Sequence, residues 1–266
     1  MMNKTLKNHI FRIIPEYSLL MISFKKIYGR ILVLRSLFLK SVLDAHIFLF
    51  TVRNTIFKDK PVDVALDSGA SFVLNCHGKE ALYYWMNPDE KEYESSIIEK
   101  FLKPGMVFFD MGSCEGFFSL AVGASIKDAQ IHSFEEEKEA FDMLKENIKI
   151  NAFSKNISIH NQLPINNFDA FFQNANTEKI DLIRVCTKGN EFRLFENMEK
   201  ILSGPDAPVI VYKTSGVHTG KFGYHPVEIL WLLQDFGYSF FTPDAEGNMV
   251  ERSPREYEGF IIAKKK

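Results

Sequence analysis

The chain has 266 residues, 46% of them apolar and 25% charged, and its formal net charge is −2. That length suits one large domain or one domain with an appendage, and so much apolar side chain excludes a chain disordered overall. The charge total speaks against a nucleic-acid partner, but the charge is uneven: residues 1–60 hold eleven Lys/Arg against three Asp/Glu. The three cysteines, Cys76, Cys114 and Cys186, include no CxxC pair. They make no disulfide framework and read as small buried thiols in a reducing compartment. Too few soft ligands accompany them for zinc, so no metal is expected.

Residues 1–60 read as a basic helical appendage. Ile27, Ile31, Leu34, Phe38 and Val42 recur at three- and four-residue steps, with Arg30 and Lys40 off that stripe. Basic residues interrupt the stretch too often for a membrane span of about 18 apolar residues. No small-residue cleavage site clearly follows Leu19–Ile22, which speaks against a signal peptide. A basic amphipathic helix can lie on an anionic membrane surface, or it can pack on its own core or on a second copy. The expected location is cytoplasmic, peripheral to the membrane in the first case.

Residues 61–106 form the next unit. Val62–Leu66 and Phe72–Leu74 are short strand-like runs with a turn at Asp67-Ser68-Gly69, which predicts an antiparallel lead-in. Tyr83-Tyr84-Trp85-Met86 reads first as core packing. After the break at Asn87-Pro88, a helix is predicted over about 90–102. Lys103-Pro104-Gly105 ends it.

Residues 107–266 alternate strand and helix. Predicted strands cover 107–110, 131–135, 157–160, 180–185, 209–212, 238–242 and 259–263. Predicted helices cover about 116–125, 137–150, 191–202 and 226–236. This is an α/β, Rossmann-like pattern: a mixed, mostly parallel sheet of about seven strands with helices on both faces. One of the last two strands is expected at an antiparallel edge. Ligands in such sheets bind outside the carboxyl ends of the strands, where Asp110, Glu135, Asn161 and Cys186 fall.

The first strand runs into Asp110-Met111-Gly112-Ser113-Cys114-Glu115-Gly116 and then a helical pattern. The glycines allow a tight turn and close ligand approach, and a helix N-terminus follows. Glu135, at the end of the second strand, can accept hydrogen bonds from both hydroxyls of a ribose. The full G-x-G-x-x-G series is absent, which argues against a dinucleotide and leaves S-adenosylmethionine (SAM). Asp110 can cap the turn, or attract the positive groups of a bound nucleoside, or both. Asn161 is placed to meet the adenine end.

This stretch resembles the FkbM-type SAM-dependent methyltransferases, whose first motif reads roughly D-V-G-A-N-x-G. Asp110, Gly112 and Gly116 match it, Ser113 is a mild change, and Cys114 stands in place of Asn. Leu102–Gly105 match an L-K-P-G run, and Leu144, Asn147 and Asn151 match an L-x-x-N-x-x-x-N tail. The second motif, close to I-D-L-I-K-I-D-V-E-G-A-E in the family, reads I-D-L-I-R-V-C-T-K-G-N-E over 180–191. Cys186 and Lys188 replace two acids there, a thiol and a cation for two carboxylates.

The resemblance implies a class I methyltransferase fold over roughly residues 90–266, with SAM as cofactor. It implies an O-methyltransferase acting on a sugar, glycolipid or other small-molecule hydroxyl. A hydroxyl acceptor benefits from a base. The candidates are His218, in the loop after the fifth strand, then His225, Glu191 and Asp181. Lys188, Lys213 and Lys221 can draw an anionic acceptor. The altered acids leave a second reading open, an inactive methyltransferase-like binding or assembly protein. A different nucleotide-using enzyme and a nucleic-acid methyltransferase find less support.

Overall fold

A computed structural model describes residues 49, 51, 62–74, 83–84, 87–151, 154–174, 177–214, 216–244, 246–252 and 259–265. The appendage expected over 1–60 lies almost wholly outside these residues. So do Trp85 and Met86 of the aromatic run. Among the described residues no helix is long and apolar enough to cross a membrane. The chain divides between Tyr93 and Glu94 into two compact units.

In the first unit β1 (Val62–Ala65) pairs antiparallel with β2 (Ser71–Leu74), in the register Val64↔Phe72. Both of those side chains are buried while Asp63 and Ala65 are exposed, the alternation of a two-sided strand. The turn closes through Gly69 N–H to Leu66 O at 2.9 Å. Gly69 sits at φ 88, a conformation glycine adopts without strain. Tyr84 is buried, edge-on to Phe72 at 6.3 Å. Helix α1 (Pro88–Glu99), within which the two units divide, starts two residues before its sequence-predicted position. Proline's fixed φ and missing N–H suit the first turn of a helix, so the break residue is also the first helical one.

In the second unit eight strands form one sheet. They are β3 (Val107–Met111), β4 (Gln130–Phe134), β5 (Ile157–His160), β6 (Leu182–Val185), β7 (Val209–Thr214), β8 (Tyr238–Pro243), β9 (Met249–Glu251) and β10 (Gly259–Lys265). The spatial order is β5-β4-β3-β6-β7-β10-β8-β9. The first five strands are parallel, and β10 runs antiparallel between β7 and β8. Of the two strands expected to supply an antiparallel edge, β10 is interior and β8 is next to the edge, which is β9, antiparallel to β8. Ile262 and Ala263 pair with β7 on one side and β8 on the other, so their backbone groups are not left unpaired as at a sheet edge. The eighth strand, β9, is three residues long and lies within the stretch read as a hairpin connection.

Alternation along β3 assigns the two faces. Phe109 and Met111 join Phe134, Val185 and Tyr212 against α4 (Phe168–Asn174), α5 (Glu191–Glu196), α6 (Glu199–Ser203) and α8 (Pro226–Asp235). Each fully buried Phe or Leu there contributes about 2 kcal/mol. The other face carries Asp110 and Ser133 toward α2 (Phe117–Ser125), with α3 (Lys138–Lys149) beyond it. The predicted single helix over 191–202 is broken at Asn197, whose side-chain amide donates to Arg193 O at 2.9 Å. An Asn satisfied by local backbone competes with helix continuation.

Candidate functional site

The turn after β3 is built on one carbonyl. Phe134 O accepts from the N–H groups of Gly112 and Ser113, both at 2.9 Å, and from Ser113 Oγ at 3.2 Å. Gly112 has φ 78, and a Cβ there would stand 2.2 Å from Cys186 O, so only glycine fits. Gly116, at φ 97, precedes α2, and a Cβ on it would meet Leu144 Cδ1 at 2.6 Å. Asn147 Nδ2 donates to Glu115 O at 2.8 Å, and Asn151 Nδ2 to Asn147 O at 2.6 Å. Leu144, Asn147 and Asn151 thus brace the turn from α3 and the residues just past it. They explain a sequence pattern that has no visible reason in one dimension.

Asp110 is fully buried beneath this turn. Its Oδ1 lies 2.6 Å from Arg184 Nη1, and its Oδ2 accepts from Ser119 Oγ at 2.8 Å. Ser133 Oγ donates to Ser119 Oγ at 2.7 Å. Arg184 Nη1 also donates to Gly112 O at 3.3 Å, and the guanidinium lies 3.9 Å over the Phe118 ring. Burial opposes the Arg184 charge, but the Asp110 carboxylate outweighs it, with the Cys186 and Cys114 thiols adding to the same effect, and the guanidinium stays charged. The partners of Asp110 are two side chains, Arg184 and Ser119, an ion pair and a hydroxyl bond beneath the turn. Both its oxygens turn inward, so it presents none to the crevice. Ser113 is likewise buried and spent on the turn.

Glu135 ends β4 at the mouth of the same turn and is 7% exposed. Oε2 accepts from Cys114 N–H and Oε1 from Glu137 N–H, each at 2.8 Å. Burial pushes its carboxyl above the ordinary range, opposed by those two N–H groups and by the charge of Lys188. Each carboxylate oxygen keeps further acceptor capacity after one N–H bond. Asn161 Nδ2 donates to Glu135 O at 3.0 Å, and the Asn161 residue is exposed at the end of β5.

The loop after β6 is held rigidly. Glu191 is 1% exposed. It accepts from Thr187 N–H at 2.8 Å and from Gly189 N–H at 3.0 Å. The Tyr224 hydroxyl lies 2.9 Å from Gly189 O and 3.2 Å from Glu191 Oε2. Glu191 was a candidate base by sequence. The structure makes it a loop clamp, because its oxygens are committed to backbone. Lys188 is exposed with φ 55, and Gly189 follows at φ 120. A Cβ on Gly189 would fall 2.3 Å from the Phe222 ring and 3.1 Å from His218 O. The segment carrying His218, α7 (Gly216–Thr219), therefore overhangs the end of β6, and His218 is exposed there.

Two other candidate bases stand elsewhere. Asp181 lies at the amino end of β6, the opposite end from the crevice, where it accepts Val107 N–H at 2.8 Å and pairs with Lys179. His225 caps α8, accepting Val227 N–H at 3.3 Å while Glu228 accepts His225 N–H at 2.7 Å. Lys213 pairs with Glu94 at 3.0 Å. Among the described residues no His, Cys, Asp and Glu cluster is suited to a metal ion.

Residues 63–240 match the Methyltransferase FkbM domain. The chain belongs to the FkbM methyltransferase family. No curated protein matches it. Solved structures similar to it include a precorrin-6y C5,15-methyltransferase from Geobacter metallireducens, at 15% identity and TM-score 0.47, covering 66% of this chain and 87% of that one. A TehB-like SAM-dependent methyltransferase from Corynebacterium glutamicum shows 14% identity and TM-score 0.47, with 71% and 98% covered. A SAM-dependent O-methyltransferase from Thermotoga maritima shows 13% identity and TM-score 0.45, with 80% of each chain covered.

Within this FkbM-family chain, the structure brings Gly112, Gly116, Glu135 and Asn161 to one end of the sheet. Cys186, Lys188 and His218 are at the neighbouring strand ends. In the sequence Arg184 stands out only as a basic match, and Ser119, Ser133 and Tyr224 carry no motif signal. Parallel register, with Arg184 opposite Asp110, is what reveals the first.

Proposed function

We propose that the chain is a SAM-dependent O-methyltransferase acting on the hydroxyl of a sugar, glycolipid or other small molecule. The observation that carries this is Glu135, a nearly buried carboxylate at a strand end beside the glycine turn. The donor set fits a nucleoside. Glu135 would accept from ribose hydroxyls, the close-packed turn at Gly112–Gly116 would meet the nucleoside with backbone alone, and Asn161 would flank the base. When bound, SAM supplies an electrophilic methyl on a good leaving group.

The chain's own residues then have distinct tasks. His218, exposed on the overhanging segment, takes the proton of the acceptor hydroxyl. Lys188 attracts an acceptor that carries negative charge. Glu191 and Tyr224 hold the Lys188 loop in place, so that positioning supplies much of the rate. Residues 1–60 supply a contact to an anionic membrane surface or to a second copy. A second reading, an inactive methyltransferase-like binding protein, is favoured by Cys186 and Lys188 at the two altered family positions.

The test is calorimetry with SAM on the purified protein and on Glu135→Ala. Micromolar binding that disappears in the variant supports the cofactor and justifies an acceptor screen with sugars and polar lipids. Folded protein that binds no SAM up to millimolar concentration overturns the proposal and leaves the second reading.

A further inference from the structure

The loop after β6 touches the glycine turn on one side and an exposed aromatic ring on the other. A Cβ on Gly112 would lie 3.6 Å from Thr187 Cα, and one on Gly189 would lie 2.3 Å from Phe222 Cδ2 and 3.1 Å from His218 O. Thr187 and Gly189 are two residues apart, so at most about 7 Å of chain separates the two contacts. Phe222 closes a short helical turn (Gly220–Phe222) and is 52% exposed, although one edge of its ring rests on Gly189. A Cβ on Gly220 or on Gly223 would meet nothing within 4 Å, so the space beside the ring is open. Tyr224 packs against Phe192 at 5.4 Å, and its hydroxyl donates to Gly189 O at 2.9 Å, so the backbone under the ring is braced.

The charge around that ring has one sign. Lys188 adjoins Gly189, Lys221 adjoins Phe222, and both are exposed, as is His218. Residues 186–190 and 213–225 contain no Asp or Glu. Glu191 is 1% exposed and its oxygens accept from Thr187 and Gly189 N–H. An apolar ring among cations suits a molecule with one apolar face and one acid group. A sugar ring has such a face, whose C–H bonds pack on the negative face of an aromatic ring. A carboxylate or phosphate on that sugar pairs with lysine.

Resting on the methyl-transfer reading, we propose that Phe222, Lys188 and Lys221 bind the methyl acceptor, and that this acceptor is a sugar carrying a carboxylate or phosphate. Phe222 is the stacking platform, and the two lysines select the acid. A sugar stacked there lies beside His218 and beside the loop that touches Gly112.

The test titrates the full chain, without SAM, with methyl glucuronide, glucose 6-phosphate and methyl glucoside, and follows binding by saturation-transfer NMR. The acidic sugars are expected to bind about threefold or more tighter than the neutral one, and less tightly as salt rises. The tighter of the two names the acid group. Phe222→Leu keeps an apolar contact with Gly189 but removes the ring face, and should weaken all three sugars about three- to tenfold. Phe222→Trp should restore them. Lys188→Gln combined with Lys221→Gln should abolish the preference for acid and leave the neutral sugar's binding unchanged. Binding of neither acidic sugar, equal binding of acidic and neutral sugars, or a Phe222→Leu protein that binds like the parent overturns the proposal. Failure of SAM to bind in calorimetry overturns methyl transfer instead, since these titrations contain no SAM.

Discussion

Arg184 faces Asp110 across adjacent parallel strands, with its guanidinium nitrogen 2.6 Å from a carboxylate that has no exposed surface. Removing one member of such a pair strands the other charge, at a cost of about 3–5 kcal/mol. Asp110→Asn should therefore lower the unfolding free energy from urea titration by an amount of that order. Ser119→Ala, which removes a single hydrogen bond to the same carboxylate, should cost about 1–3 kcal/mol. Equal and small losses in both would show that the ion pair does not anchor the turn.

Two glycines with nearly the same backbone angle should differ in their tolerance of alanine. Gly112 and Gly105 sit at φ 78 and φ 79, but a Cβ on Gly112 would strike Cys186 O at 2.2 Å, and one on Gly105 would meet nothing within 4 Å. Gly105→Ala should cost only the strain of positive φ, about 1 kcal/mol. Gly112→Ala must also push two strands apart and should cost at least ~3 kcal/mol. Thermal unfolding of the two variants makes the comparison.

Acid should destabilise the protein through a histidine pair. His132 Nδ1 lies 3.2 Å from His160 Nε2, and the rings stack 5.5 Å apart. Burial, and then the proximity of His160, lowers His132 from 6.5 to about 4; burial lowers His160 as well. The unfolded chain thus binds more protons than the folded one between pH 6.5 and 4. Stability is full above pH 6.5 and falls as pH drops through that window, by up to about 1.4 kcal/mol per pH unit per group. Glu135 has the opposite sign, since its raised carboxyl disfavours the folded state as pH rises above 4.5. Urea midpoints at pH 7, 5.5 and 4.5 should show the net loss, and His132→Gln should flatten it. An unchanged slope in that variant would acquit the pair.

Glu191 and His218 should separate by measurement. Glu191→Ala leaves the N–H groups of Thr187 and Gly189 without their acceptor, and should lower stability by about 2–4 kcal/mol. His218→Ala alters an exposed side chain, and its stability should stay within about 0.5 kcal/mol of the parent. If His218 is the base, single-turnover methyl transfer should fall roughly 10²–10⁴-fold in that variant. An unaltered rate would remove it from the chemistry.

The order of strands and helices was legible in the sequence, because apolar runs and helical periods are local. So was the gathering of Gly112, Gly116 and Glu135 at one end of the sheet, since a strand, a glycine turn and a helix follow one another and Glu135 closes the next strand. The tertiary structure decided what pairing across the sheet decides. It set β10 inside the sheet by pairing Ile262 and Ala263 with strands on both sides. It turned Asp110 inward because Arg184 stands opposite in register. It made Glu191 a clamp because the loop folds back on its carboxylate. No local pattern encodes these contacts: each joins residues far apart in the chain, and only the register of β3, β4 and β6 makes them neighbours.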